Sequence, residues 1–148
     1  MADIAIEIAD SVTTELVEAF ARLIPQLSKS NPPPTAEALA DMIASPASVV
    51  FIARLDGEIV GSLTLVAFRI PTGLRTMVED VVVDEAARGT GVAVALTEAA
   101  MNEARRLGAS TIDLTSRPSR VAANKLYQRI GFVQRETNVY RYVLGIDD

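Results

Sequence analysis

Residues 78–93 read Val78-Glu79-Asp80-Val81-Val82-Val83-Asp84-Glu85-Ala86-Ala87-Arg88-Gly89-Thr90-Gly91-Val92-Ala93, the most informative stretch of the chain. Its valine-rich first half predicts a strand over 76–84. The apolar spacing of Val92, Leu96, Ala99, Ala100, Ala104 and Leu107 predicts a helix over 90–107, with Gly108 as its stop. Between strand and helix lies the glycine turn. The first N–H groups of a helix lack intrahelical partners, and the helix dipole is positive there. Glycines remove the Cβ atoms that would keep a phosphate away. The pattern suits a pyrophosphate.

Spacing narrows the choice of anion. A P-loop needs a Lys-Ser/Thr pair after its last glycine, and none follows Gly91. A dinucleotide fingerprint needs Gly or Ala where Val94 stands, and its turn follows the strand at once, whereas residues 85–88 intervene here. Asp113 lies near the distance of a ribose-binding acid and keeps that reading open. The plain alternative is a helix start whose glycines only permit packing.

Near the start of the chain, Ile4, Ile6 and Ile8 alternate in a strand over 3–9. Asp10 or Ser11 can cap a helix carrying Leu16, Val17, Phe20, Leu23, Ile24 and Leu27. Residues 31–34 are a proline loop, and Thr35 caps a short helix with Leu39, Met42 and Ile43 that stops near Pro46. Strands over 49–55 and 58–68 flank Asp56-Gly57, a strong hairpin signal. After a turn at 71–73 come the decisive strand and helix, a short strand at 111–115, and a helix over 119–130 ending at Gly131. Residues 132–134 and 139–144 are expected to be closing strands. No linker or repeat interrupts the chain, so 1–148 reads as a single mixed α/β domain.

The chain has 148 residues, net charge -5, no cysteine and no histidine. These absences exclude a disulfide framework, a thiolate nucleophile, a Ser-His-Asp triad and an HExxH metal site. Chemistry is left to carboxylates, hydroxyls, phenols, Lys, Arg and backbone amides, and no metal is expected. No apolar run approaches membrane-spanning length, and the start lacks the basic region of a signal peptide, so a cytoplasmic protein is expected. Overall acidity argues against nucleic-acid partners, and no membrane partner is expected. The charge is uneven, however. Residues 1–85 carry five basic and thirteen acidic side chains, and residues 86–135 carry eight basic and three acidic. A basic segment in an acidic protein suits local binding of a small anion, or else a solvated helical surface.

Two motifs give the chain a family resemblance. Arg88-Gly89-Thr90-Gly91-Val92-Ala93 resembles the R/Q-x-x-G-x-G/A motif of the GNAT acetyltransferases. Downstream, Arg120-Val-Ala-Ala123-Asn124-Lys-Leu126-Tyr127-Gln-Arg-Ile-Gly131-Phe132 resembles the family's N-x-x-A-x-x-L-Y-x-x-x-G-F element. The element order also matches over almost the whole chain. Two positions depart from the pattern: Arg120 stands where the asparagine usually does, and Ala93 replaces the second glycine. An arginine at 120 forgoes the usual pantetheine contact and could reach a phosphate instead.

The resemblance implies a GNAT-like α+β domain with a mostly antiparallel sheet, helices on both faces and splayed central strands. It implies acetyl-CoA as co-substrate and direct transfer to an amine of a small molecule or peptide in a ternary complex. Val81, Val82 and Val83 would meet the pantetheine arm. Arg88, Gly89, Thr90, Gly91, Val92 and Ala93 would hold the pyrophosphate, with Arg120 and Asn124 contributing from the second motif. Tyr127 resembles the family's tyrosine that protonates the departing thiolate. The acidic first part would form most of the acceptor side and favour a cationic amine. Homodimers would form through 139–144. A non-catalytic acyl-CoA sensor, and acetylation of a protein N-terminus or aminoacyl-tRNA, are the alternatives.

A lysine-like amine, with a pKa near 10.4, must lose a proton before it attacks, at about 1.36 kcal/mol per pH unit. With no histidine present, Glu79 and Asp80 are the candidate bases, Glu79 the favoured one. Strict alternation would put Glu79 on the face of Val81 and Val83, and Asp80 on that of Val78 and Val82; a bulge would break this. Both carboxylates can instead be structural.

Overall fold

In the computed structural model, which describes residues 3–145, a five-stranded sheet runs in the order β1-β2-β3-β4-β5. The strands are β1 (Ile4–Ile8), β2 (Ser48–Leu55), β3 (Glu58–Ile70), β4 (Gly73–Val83) and β5 (Thr111–Asp113). The first four pair antiparallel, and β5 joins β4 in parallel. The helices are α1 (Thr14–Leu27), α2 (Ala36–Ala44), α3 (Val92–Leu107) and α4 (Val121–Ile130). Two compact units divide the chain, the first ending at Thr115 and the second starting at Ser116. The sheet and α1–α3 make the first unit, and α4 lies in the second.

Alternation in β2 explains the layering. Val50 and Ile52 point to one face, where they pack with Leu16, Ala19, Phe20 and Leu23 of α1 and Leu39 of α2. Phe51 and Ala53 point to the other, where Val92, Leu96, Ala100 and Ala104 of α3 cover them. Helices thus lie on both faces of the sheet. The β2–β3 turn is the primed type that Asp56-Gly57 predicts, with φ of 50° and 88°. The caps differ in part from expectation. Thr35 caps α2 as expected, but Thr13 rather than Asp10 or Ser11 caps α1, its Oγ1 accepting from the Leu16 N–H at 3.1 Å. Of Asp10, Ser11 and Thr13, only Thr13 sits three residues before a first-turn N–H that its side chain reaches.

The expected closing strands are corrected. Among the described residues, 132–145 form no strand. Val139, Tyr140, Tyr142, Val143 and Leu144 are 76–89% exposed. Their β-branched and aromatic character makes pairing favourable only when a partner strand supplies the ladder.

Candidate active site

β4 departs from regular geometry at the two carboxylates. Its register against β3 runs Ser62↔Val82 and then Thr64↔Glu79, so Asp80 and Val81 together face Leu63. This is a β-bulge, and Asp80 takes φ of +48°, the left-handed region that Asp tolerates better than most residues. The bulge overturns strict alternation. Val78, Val81 and Val83 all pack on the α3 side, while Val82 packs on the side of α1 and α2. Glu79 pairs with Thr64, whose neighbours Leu63 and Leu65 belong to the α3 cluster, so Glu79 stands on the α1–α2 face. It therefore does not share a face with Val81 and Val83. Glu79 and Asp80 are both exposed.

On its other edge, β4 pairs with β5 only at Arg75↔Thr111, Thr76↔Ile112 and Met77↔Asp113. Thr76 Oγ1 donates to the Thr111 carbonyl at 2.8 Å and fastens this short ladder. Beyond Met77 no strand pairs with that edge among the described residues. The Asp84 N–H donates to the Val60 carbonyl at 2.7 Å, which fixes the direction of the neighbouring groups. By alternation, the N–H and C=O of Val82 face β3 and those of Val83 face the open edge. Val81 lies in the bulge, where this alternation is broken. Of the three valines assigned to the pantetheine arm, Val82 thus has its backbone groups turned to β3.

The strand then enters the 3-10 turn Glu85–Ala87 and the glycine turn. Gly89 and Gly91 have φ of 78° and 92°, and Gly91 is the N-cap of α3. A Cβ on Gly89 would meet nothing within 4 Å, so the space before the turn is open. No side chain caps α3, unlike α1 and α2. The leading amides of the helix are therefore available to an anion. Thr90 Oγ1 donates back to the Ala87 carbonyl and closes the turn. Arg88 is exposed and 3.9 Å from Glu85, a loose ion pair that leaves the guanidinium free to reorient.

In the second unit, Asn124 Nδ2 donates to the Arg117 and Arg120 carbonyls at 2.9 and 2.8 Å. Its amide thereby holds the turn that leads into α4, with Arg120 as the N-cap residue. Tyr127 packs edge-on against Phe132, ring centroids 5.8 Å apart. Burial raises its phenol above the ordinary 10.0, and the charge of Arg120 opposes this in part. The phenol is protonated at neutral pH.

Sequence reasoning missed Arg22, Gln26 and Asp84. Asp84 Oδ1 accepts from the Ala86 N–H at 3.1 Å, and Arg22 Nε donates to Asp84 Oδ2 at 3.2 Å. Asp84 two residues ahead of Ala86 is a legible local cap. The contacts from α1 carry no sequence signal.

The chain matches the family model described as acetyltransferase (GNAT) family over residues 14–132. No curated protein sequence matches it. Among solved structures it is similar to an aminoglycoside acetyltransferase from an uncultured soil metagenomic sample, at 19% identity and a TM-score of 0.84 over 96% of this chain and 97% of that one. It is similar to the aminoglycoside N-acetyltransferase AAC(6′)-Iy in complex with CoA, at 19% identity and a TM-score of 0.80, covering 97% and 96%. A ribosomal-protein-alanine N-acetyltransferase from Brucella melitensis aligns at 23% identity and a TM-score of 0.74, covering 98% and 100%. These likenesses establish the fold, and the family model spans most of the sequence: the chain belongs to the GNAT family of acetyltransferases and is an N-acetyltransferase.

Proposed function

We propose that the protein transfers an acetyl group from acetyl-CoA to an amine of a small molecule, by direct attack in a ternary complex. One observation carries this reading: among the described residues the far part of β4 has one unpaired edge, and the chain runs from it through a 3-10 turn and a glycine turn to a helix start with no side-chain cap. The backbone groups of Val81 and Val83 suit the amides of a pantetheine arm, and those of residues 89–92 suit its pyrophosphate, while the Arg88 N–H donates to the Glu85 carbonyl at 3.3 Å and leaves Arg88 its guanidinium for that role. Arg120 and Asn124 are assigned to the same cofactor by motif. The complex of AAC(6′)-Iy with CoA supports this choice of co-substrate.

In the proposed step the amine nitrogen attacks the thioester carbonyl. Glu79 takes the amine proton directly or through water, with Asp80 as the alternative base. The C–N bond forms, the C–S bond breaks, and the Tyr127 phenol protonates the departing sulfur. A backbone N–H of the bulge holds the oxyanion. Glu79 is supported as the base by its exposed place on the α1–α2 face, which belongs to the acidic part of the chain. That acidity favours a cationic acceptor, and aminoglycoside acetyltransferases among the similar structures agree with it.

The reading treats residues 1–148 as one acetyltransferase domain working in the cytoplasm. No helix of the described residues is long and apolar enough to cross a membrane. It includes a homodimer formed through residues 139–144, whose exposed apolar side chains support it. Sedimentation of the purified protein as a monomer at micromolar concentration would remove that part alone.

Free-thiol release from acetyl-CoA across a panel of cationic, neutral and anionic amines tests the whole. Turnover restricted to cationic amines is expected. Equal turnover on all three classes would refute the acceptor preference, and tight CoA binding without turnover on any amine would favour a sensor.

A further inference from the structure

The 3-10 turn and glycine turn are held from outside by α1, and the family motif does not account for this. Arg22 Nε donates to Asp84 Oδ2 at 3.2 Å, while Arg22 Nη2 donates to the Ile59 carbonyl at 2.6 Å. One turn further along α1, Gln26 Oε1 accepts from the Glu85 N–H at 2.9 Å, and its Nε2 donates to the Arg22 carbonyl at 3.3 Å. The two side chains thus grip the consecutive residues 84 and 85, where β4 ends and the 3-10 turn begins. Asp84 passes the constraint on, because its other oxygen accepts from the Ala86 N–H and its backbone carbonyl accepts from the Ala87 N–H at 2.8 Å. Ala87 in turn accepts from the Thr90 hydroxyl inside the glycine turn. A continuous chain of hydrogen bonds therefore leads from α1 to the residues just ahead of α3.

We propose that Arg22 and Gln26 are positioning residues that hold the glycine turn in its anion-binding conformation. They contact residues 84 and 85 rather than the glycine turn itself. A row of backbone amides binds an anion well only when it is already ordered, since ordering it on binding lowers affinity. The turn contains two glycines with positive φ, so without an external tether it has many conformations to lose. Arg suits the task because its planar guanidinium donates from two separate nitrogens in a fixed fork, to a carboxylate and to a carbonyl, whereas Lys offers one flexible point charge. The proposal rests on the reading that the turn holds the pyrophosphate of acetyl-CoA.

The test compares coenzyme A with pantetheine, which lacks the pyrophosphate. Wild type, Arg22→Ala and Gln26→Ala are titrated with coenzyme A by calorimetry and with pantetheine by NMR. Loss of charge-assisted and neutral hydrogen bonds at a half-exposed site is expected to weaken coenzyme A about five- to tenfold in Arg22→Ala and about threefold in Gln26→Ala. Pantetheine affinity is expected to stay within about twofold of wild type in both. In turnover the loss is expected in the acetyl-CoA KM rather than in kcat. Arg22→Lys is expected to restore only part of the affinity. Wild type that binds coenzyme A, with variants weakened equally toward both ligands or toward neither, would overturn the positioning role while leaving the cofactor reading in place. Wild type that fails to bind coenzyme A would overturn both. Gln26→Ala removes a single surface contact to the turn and keeps the test decisive should Arg22→Ala unfold.

Discussion

Met77 of β4 pairs with Asp113 of β5 and is the last residue of β4 to do so, although β4 runs on to Val83. From that pair the sheet opens along one edge. The bulge at Asp80 and Val81 lies just beyond it and re-aims the side chains that follow. A free strand edge and a free helix start are therefore successive parts of one stretch of chain. An extended ligand carrying amides at one end and phosphates at the other can follow both.

The conformation of Asp80 gives a stability prediction. A left-handed φ costs an ordinary L residue about 1 kcal/mol, and Asn or Gly avoids most of it. Asp80→Asn is expected to leave stability within about 0.5 kcal/mol of wild type, while Asp80→Val is expected to lose about 1–2 kcal/mol. Urea unfolding measures both. Equal stability of the two variants would contradict the geometry of the bulge.

Glu79 as the base gives a kinetic prediction that separates the two carboxylates. Glu79→Gln is expected to lower kcat about 10²-fold near neutral pH, with Asp80→Asn lowering it less than about threefold. The deficit of Glu79→Gln is expected to shrink as pH rises and the acceptor amine loses its proton unaided. Steady-state assays from neutral to alkaline pH check this, and a larger loss in Asp80→Asn would assign the base to Asp80.

Tyr127 is expected to matter to the chemical step more than to binding. Tyr127→Phe keeps the ring against Phe132 and removes only the proton donor. A fall of about 10- to 100-fold in kcat is expected, with the acetyl-CoA KM changed by less than about threefold. Because burial raises the phenol, the alkaline limit set by its deprotonation is expected above 10.0. An alkaline limb near pH 8 that vanishes in Tyr127→Phe would contradict this.

Asp84 predicts an acid-side effect on stability. Its carboxyl is held below the ordinary 3.8, first by the Ala86 N–H and then by the Arg22 guanidinium. A depressed folded value means a contribution present above pH 3.8 and lost as pH falls through the lower folded value. The stability gap between wild type and Asp84→Asn is therefore expected to be flat from about pH 5 to 7 and to narrow below about pH 4. Thermal melts across that range measure it. A gap that widens on acidification would contradict the assignment.

What could be read from the sequence was mainly what is local. Asp56-Gly57 sets its own turn, the alternation in β2 sets its two faces, and the order strand, glycine turn, helix sets the candidate site. The bulge was only partly legible, because Asp tolerates the left-handed region but its presence does not fix where a strand shifts register. The grip of Arg22 on Asp84 was not legible either, since it joins α1 to the end of β4 across an intervening hairpin. Residues 139–144 read as a strand because Val139, Tyr140, Tyr142 and Val143 favour one, yet strand formation depends on a partner that composition does not specify.

The most direct measurement is an amide chemical-shift titration of the protein with coenzyme A. Saturable shifts are expected, concentrated at the N–H groups of Val81, Val83, Gly89, Thr90, Gly91 and Val92, with Val82, turned toward β3, moving less. Saturation with coenzyme A that leaves the amides of 89–92 and the open edge of β4 unmoved would contradict this.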